Sequence, residues 1–310
     1  MNDQTTDIWT SLSKRFAAAA EETSKLVVSH EGRGRFSASG LAWRPGIIVT
    51  AAHTIRHDAE IPVTLPDGRS ATAAVAGIDR GTDIAVLRAG DVAAAPVRAA
   101  APDSSRVGHL VVAVGRSPRA GTTASLGIVS AVSGAWRTWR GGRIESLIRL
   151  DVTPHPGLSG SAVVNADGTL AGMATTGLSR FGAIVIPAVT VERVMDDLLN
   201  RGRVPRPYLG VALHPVTLPA EARARHALAS DDAMVVLGTE PAGPAARAGV
   251  TVGDIIVMLN GKPVADLEAM QSALEEIAPG GAANVALLRG GSRTDVEITV
   301  GERPARGERR

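Results

Sequence analysis

Short apolar runs separated by glycine, proline and aspartate dominate the chain from Leu26 onward. Typical examples are Gly46-Ile-Ile-Val-Thr, Asp83-Ile-Ala-Val-Leu, Leu110-Val-Val-Ala-Val and Ala183-Ile-Val-Ile. Runs of this length, bounded by turn residues, are typical of β-strands. Many short strands in succession favour barrels or sandwiches over a parallel sheet built from βαβ units. The first large part of the chain is therefore predicted to be mostly β.

Helical spacing of apolar residues occurs in three places. It predicts an N-terminal helix within residues 1–25, whose Trp9 and Phe16 pack on the same domain or on another subunit. A second helix over residues 189–200 carries an apolar stripe. A third, over residues 267–277, lies among the strands of the C-terminal part.

A proline-rich basic segment, residues 201–207, is typical of a domain linker. It separates a predicted β domain, residues 26–200, from a smaller α+β domain, residues 208–302. The charged tail, residues 303–310, is predicted to be disordered.

Composition narrows the classes of function. The chain of 310 residues carries a formal net charge of +2, too small to indicate nucleic acid, and it contains no cysteine. No run of eighteen apolar residues indicates a transmembrane segment. The polar, acidic start Met1-Asn-Asp-Gln lacks the pattern of a secretory signal. We therefore expect a cytoplasmic protein, or one of the periplasm or cell envelope if the natural N-terminus is longer.

The strongest candidate for chemistry is the stretch Asp151-Val-Thr-Pro-His-Pro-Gly-Leu-Ser-Gly-Ser161. Its prolines and glycines force an irregular backbone around Ser159. Glycine at 157 would let its amide face the same point as the amide of Ser159, as an oxyanion hole requires. A serine becomes a nucleophile only when a base takes its proton.

Among the seven histidines, His53 has the best position for that base, because it follows the apolar run Ile47-Ile-Val-Thr-Ala-Ala directly. Asp83 opens another buried-looking strand and needs a partner there. The order His53, Asp83, Ser159 matches the chymotrypsin order of a catalytic triad. His155 is close to Ser159 in sequence, but its neighbouring prolines are expected to hold it away. The remaining histidines are expected in solvent: His30, His57, His109, His214 and His226.

Two other chemistries fit poorly. The nucleophile elbow of α/β-hydrolases has glycine where this chain has Ser161, and its histidine would lie beyond the linker. No His-Glu-x-x-His or similar spacing indicates a metal, so no metal or other cofactor is expected.

Three motifs, Thr50-Ala-Ala-His53, Gly81-Thr-Asp83-Ile-Ala-Val-Leu and Pro156-Gly-Leu-Ser159-Gly, resemble the catalytic motifs of the HtrA (Deg) serine proteases. Tyr208-Leu-Gly-Val211 and the segment 243–256 resemble that family's PDZ domain. The resemblance implies a chymotrypsin-like double β-barrel followed by one PDZ domain. It also implies digestion of unfolded or misfolded protein, protein quality control and a homotrimer.

By this resemblance, His53 is the general base, Asp83 orients it, Ser159 is the nucleophile, and the amides of Gly157 and Ser159 form the oxyanion hole. The chain departs from the family pattern at four positions. The family usually has asparagine at His155, asparagine or aspartate at Leu158, and glycine and proline at Ser161 and Ala162. A catalytically silenced peptide-binding scaffold is therefore the alternative.

The resemblance also implies two binding sites. Thr153, six residues before the serine, lies at the floor of the primary specificity pocket, and Met173, Ala174 and Thr175 line the strand across it, where Met173 narrows the space. In the PDZ domain, the carboxylate of a peptide C-terminus binds at Tyr208, Leu209, Gly210 and Val211, while the peptide adds as a strand to a sheet edge.

Overall fold

The computed structural model describes residues 3–32, 37–55, 60–90, 92–93 and 98–303, with the backbone alone for residues 3–6. The chain divides into two compact units, Met1–Val204 and Pro205–Arg310. The division falls inside the segment predicted as a linker. Of the sequence predictions, those for His57 and for residues 304–310 lie outside the described part.

The first unit begins with a closed antiparallel barrel of six strands. These strands are β1 (Val27–Glu31), β2 (Ser37–Arg44), β3 (Ile47–Ala51), β4 (Glu60–Thr64), β5 (Ser70–Asp79) and β6 (Ile84–Arg88). The barrel closes in the order β1-β2-β3-β6-β5-β4, since β1 pairs with both β2 and β4.

A second closed barrel of six strands follows. Its strands are β7 (Leu110–Ser117), β8 (Gly121–Ser133), β11 (Leu147–Asp151), β12 (Ala162–Asn165), β13 (Leu170–Thr175) and β14 (Ala183–Pro187). They close in the order β11-β14-β13-β12-β7-β8. A separate two-stranded ribbon, β9 (Trp136–Arg137) with β10 (Arg143–Ile144), lies in the connection between β8 and β11.

Alternation along the strands divides their side chains between two cores. In β3, Ile48 belongs to the interior of the first barrel, whereas Val49 belongs to a larger cluster shared by both barrels, which we call the inter-barrel core. Because both faces of β3 are covered, its five residues are all buried and it lacks alternating polarity.

Two helices complete the first unit. Helix α2 (Ala188–Arg201) buries Val191, Val194, Met195 and Leu198, the stripe expected from the sequence, against the inter-barrel core. Helix α1 (Asp3–Ser24) packs Phe16 on the same core, while Trp9 remains 67% exposed. The buried guanidinium of Arg116 donates to the carbonyl of Ser24 (3.1 Å) and so holds the end of α1.

The second unit is a small α+β domain built on a six-stranded sheet. Its sheet strands are β16 (Val211–Thr217), β17 (Asp232–Thr239), β18 (Ile255–Leu259), β19 (Lys262–Pro263), β20 (Ala282–Arg289) and β21 (Ser292–Thr299). The remaining elements are the ribbon β15 (Pro207–Tyr208) with β22 (Gly301–Glu302) and the helices α3 (Ala220–Arg225), α4 (Pro244–Arg247) and α5 (Leu267–Glu275). The predicted fold, mostly β with a double barrel followed by a smaller α+β domain, is confirmed.

Candidate active site

His53 and Asp83 meet because two paired strands end side by side. His53 lies in a 3-10 turn, Ala52–Thr54, directly after β3, and Asp83 directly precedes β6. Strands β3 and β6 are antiparallel partners, with Ala51 opposite Ile84. The sheet register therefore fixes the distance between the two side chains before any side-chain contact is made.

The carboxylate of Asp83 makes two hydrogen bonds with His53, one with the ring and one with the backbone. Its Oδ2 lies 2.7 Å from His53 Nδ1, and its Oδ1 accepts the backbone N–H of His53 at 2.8 Å. With the proton on Nδ1 directed at a carboxylate, Nε2 remains as the basic nitrogen of the neutral ring. This is the geometry of an oriented general base.

Asp83 is 1% exposed, and a buried carboxylate requires full hydrogen bonding. A third bond comes from the hydroxyl of Thr175, which donates to Oδ2 at 2.5 Å. The backbone carbonyl of Asp83 accepts the N–H of Ala52 at 2.9 Å. Asp83 also has a φ of +60°, a left-handed conformation that aspartate tolerates better than most residues.

Ser159 lies on the irregular loop between β11 and β12, against strand β2. The backbone N–H of Ser39 donates to the carbonyl of Ser159 at 3.0 Å. Gly160 passes so close that a Cβ there would lie 1.8 Å from the carbonyl oxygen of Ser39, and its φ is +84°. Glycine is required at this position for the loop to reach β2.

The hydroxyl of Ser159 is bonded to Thr176. Its Oγ lies 3.0 Å from Thr176 Oγ1 and accepts the backbone N–H of Thr176 at 3.2 Å. Among the described residues, Ser159 makes no hydrogen bond to His53. The structure thus brings the three predicted residues to one junction between the barrels, with the His53–Asp83 bond formed and the Ser159–His53 bond open.

The amide of Gly157 differs from its expected role. Instead of being open to an oxyanion, its N–H donates to the carbonyl of Ser37 at 2.9 Å. The carbonyl of Gly157 accepts the hydroxyl of the fully buried Ser39 at 2.6 Å. An oxyanion hole that uses the Gly157 amide requires the bond to Ser37 to open first.

Two of the departures from the family pattern, His155 and Ser161, lie in this loop. His155 bonds through Nε2 to Ser125 Oγ and through Nδ1 to the carbonyl of Pro156, each at 2.9 Å, away from Ser159 as expected. The hydroxyl of Ser161 is buried, without a hydrogen-bond partner in the described part of the chain.

The predicted pocket residues do not all face a pocket. Met173 is fully buried in the inter-barrel core, so it does not narrow a substrate pocket, and that expectation is wrong. Strand alternation explains the error, because Met173 and Thr175 share the face that turns toward Asp83, whereas Ala174 lies on the opposite face, in the interior of the second barrel. Thr153 is exposed.

One histidine expected in solvent is buried. His30 in β1 is 2% exposed, and its Nε2 lies 2.9 Å from Thr50 Oγ1. Burial lowers the pKa of His30 below its ordinary value, which favours the neutral ring. The sequence prediction was wrong because β1 has both faces covered.

Sequence reasoning missed Thr176, Ser37 and Ser39. Ser37 contacts the loop through its backbone carbonyl, which leaves no residue-type signal, and Ser39 was an ordinary small residue in a strand. Thr176 contacts Ser159 through both its backbone N–H and its hydroxyl. The one available signal was the pair Thr175-Thr176 at the end of a strand otherwise built from apolar residues and glycine.

In the second unit, β16 is an edge strand of the sheet, next to β17. Leu209 is buried, and its carbonyl accepts the N–H of Ala245 at 2.9 Å. Gly210 has a φ of +76°, and its carbonyl accepts the N–H of Glu240 at 2.8 Å. These bonds hold the Tyr208–Val211 turn at the start of the edge strand. Helix α5 contacts β16 and supplies an opposite wall.

Two six-stranded barrels followed by this small domain define a chymotrypsin-like protease fold with a PDZ domain. Family models agree: residues 38–173 match the trypsin-like peptidase domain and residues 207–300 match the PDZ domain.

Known proteins are similar to most of the chain. The chain is 32% identical over 266 residues to a probable periplasmic DegP-like serine endoprotease of Brucella suis, covering 84% of this chain and 51% of that protein. The chain spans about half the length of the curated relatives it matches.

Among solved structures, the fold is similar to the serine endoprotease from Yersinia pestis, with 29% identity, a TM-score of 0.75 and coverage of 93% of this chain and 98% of that one. It is also similar to the HtrA-type protease AlgW with a decapeptide, with 26% identity, a TM-score of 0.77 and coverage of 94% and 99%. The chain belongs to the HtrA (Deg) family of serine endoproteases.

Two further observations concern the described residues alone. No helix among them is long and apolar enough to cross a membrane. They also contain no group of three or more histidine, aspartate and glutamate side chains arranged to hold a metal ion.

Proposed function

We propose that this chain is a serine endopeptidase that hydrolyses peptide bonds of unfolded or misfolded proteins through an acyl-enzyme. His53 acts as the general base, Asp83 orients it, and Ser159 is the nucleophile. The observation that supports this most is the buried carboxylate of Asp83, bonded at 2.7 Å to His53 Nδ1 and at 2.8 Å to the His53 backbone. No cofactor is needed for this chemistry.

In the proposed reaction, His53 Nε2 takes the proton of Ser159 Oγ as Oγ attacks the substrate carbonyl carbon. The negative charge on the carbonyl oxygen is stabilised by the amides of Ser159 and Gly157, after the latter leaves the carbonyl of Ser37. The imidazolium then gives its proton to the departing amine. Water, deprotonated by the same nitrogen, hydrolyses the acyl-enzyme.

Replacing Ser159 by alanine tests this function. We expect the variant to lose casein cleavage by about ten-thousand-fold or more, since it lacks the acylated atom. Fluorophosphonate labelling should likewise disappear while the thermal unfolding profile stays close to that of the wild type. Cleavage near the wild-type rate in purified Ser159→Ala would remove Ser159 from its proposed role.

The alternative, a silenced peptide-binding scaffold, is favoured by two observations: Ser159 bonds to Thr176, and the Gly157 amide bonds to Ser37. Labelling separates the two hypotheses, because a fluorophosphonate reacts with an activated serine alone. A folded wild-type protein that neither labels nor cleaves would support the scaffold.

We propose that the PDZ domain binds peptide C-termini. The edge strand β16 offers unpaired backbone groups to an added strand, and the Tyr208–Val211 turn places amides at its start. A fluorescent peptide with an apolar C-terminal residue and a free carboxylate should bind, and the same peptide with an amidated C-terminus should bind much more weakly. Equal binding of the two would contradict carboxylate recognition at this turn.

Assembly and location stay proposals that follow from the family. A homotrimer is our prediction, and Trp9, not Phe16, is the exposed aromatic on α1 that suits a contact between subunits. The expected cytoplasmic location finds no support among the relatives, whose names place them in the periplasm. The periplasm or cell envelope is therefore the location we propose.

A further inference from the structure

Three consecutive residues, Thr175, Thr176 and Gly177, lie against the proposed triad. Thr175 donates its hydroxyl proton to Asp83. Gly177 lies against His53, since a Cβ on it would be 2.5 Å from His53 Nδ1. Thr176 bonds to Ser159. The first two contacts support the His53–Asp83 pair, whereas the third acts on the nucleophile.

The bond between the two hydroxyls opposes attack whichever oxygen donates. If Ser159 donates to Thr176 Oγ1, 3.0 Å away, its proton points to Thr176 and not to His53. If Thr176 donates, Ser159 Oγ accepts two hydrogen bonds, because it also accepts the Thr176 backbone N–H at 3.2 Å. Both lone pairs of Oγ are then engaged. In the first case Ser159 must turn away from Thr176 before its proton can reach His53, and in the second it must lose a hydrogen bond before a lone pair of Oγ can attack.

The backbone part of this contact needs no particular side chain, but the hydroxyl part does. Thr176 lies just after β13 and is half-buried, as is Ser159. Valine has nearly the shape of threonine without its hydroxyl. A Thr176→Val change therefore removes one bond to Ser159 and leaves the backbone bond and the surrounding volume in place.

We propose that Thr176 is a positioning residue that restrains the Ser159 hydroxyl in the resting protein. The proposal rests on the proposed function, in which Ser159 is the nucleophile. Thr176 sets the fraction of molecules whose Ser159 hydroxyl is available to His53.

The test measures the second-order rate of fluorophosphonate labelling for the wild type, Thr176→Val and Thr176→Ser, with Ser159→Ala as the blank. We expect Thr176→Val to label about two- to tenfold faster, the factor that corresponds to the net contribution of one neutral hydrogen bond. Thr176→Ser keeps the hydroxyl and should label within about twofold of the wild type. On a short peptide substrate, the gain should appear in kcat, with KM unchanged.

Equal labelling of Thr176→Val and the wild type would overturn the proposal, and slower labelling would make the hydroxyl an aid to catalysis instead of a restraint. A gain shared by Thr176→Ser would show that side-chain volume, not the hydroxyl, is responsible, and this too overturns it. Should the valine variant fail to fold, Thr176→Ala carries the same expectation.

Failure of the proposed function is recognised separately. Labelling of Ser159→Ala as fast as the wild type would refute Ser159 as the nucleophile. A folded wild-type protein that does not label would overturn both proposals.

Discussion

The groups that the two barrels contribute to the candidate site differ in their hydrogen bonding. The first barrel supplies His53 and Asp83 already bonded at 2.7 Å, with the carboxylate further held by Thr175. The second barrel supplies Ser159 and Gly157, and both groups are bonded to protein partners instead of being open to a substrate. The half that carries the proposed base is assembled, and the half that carries the proposed nucleophile is not.

The difference follows from the backbone that carries each half. His53 and Asp83 flank paired strands, so the β3–β6 ladder fixes their positions. Ser159 and Gly157 lie in the loop between Asp151 and Ala162, which is outside the strand ladders and is tied to β2 and β13 by single backbone bonds. Loop amides can exchange one acceptor for another at small cost, whereas a strand end cannot move without breaking its ladder. Regulation of this site is therefore expected to act on the second barrel.

The largest effect should come from breaking the base half with Asp83→Asn. An amide in place of the carboxylate cannot stabilise the imidazolium, and it favours the wrong tautomer of His53. We expect kcat to fall on the order of ten-thousand-fold, by analogy with the serine-protease template. Steady-state kinetics on a chromogenic peptide measure the loss.

Asparagine is the suitable substitution because Asp83 has a φ of +60°, which asparagine adopts at less cost than alanine. Asp83→Ala is the matched control, since it adds backbone strain and should also lower the melting temperature. A fall in kcat of less than about tenfold in folded Asp83→Asn would mean that His53 does not depend on this carboxylate.

The two halves of the site also differ in how well the sequence predicted them. Turn-bounded apolar runs predicted short strands in barrels or sandwiches, and the family resemblance implied the two barrels. The strand-end positions of His53 and Asp83 suggested that they meet. This part succeeded because side chains at the ends of neighbouring strands have few possible positions.

The state of the nucleophile half was beyond sequence reasoning. Whether the Gly157 amide bonds to Ser37 or remains open depends on one peptide orientation, and no residue type signals it. Met173 was misplaced for another reason: β13 has two buried faces, so apolar character does not tell which face a residue occupies. Alternation counted from Thr175, once its bond to Asp83 is known, gives the correct face.

The smallest expected effect concerns which substrate residue precedes the cleaved bond, a property of the second barrel. By the family resemblance, Thr153 lies at the floor of the primary pocket, and it is uncharged and exposed. A lysine or arginine side chain entering there would lose hydration without meeting a counter-charge. Because Met173 packs elsewhere, it does not narrow the pocket for an aliphatic side chain.

Full burial of an aliphatic side chain is favourable by about 1.5–3 kcal/mol, which corresponds to a preference of roughly tenfold or more. We therefore expect cleavage after valine, alanine, isoleucine or leucine when peptides released from an unfolded substrate are identified by mass spectrometry. Thr153→Asp sharpens the test, since a carboxylate at the pocket floor should add cuts after lysine and arginine. A majority of such cuts by the wild type would refute the uncharged pocket, and an unchanged pattern in Thr153→Asp would show that Thr153 does not form its floor.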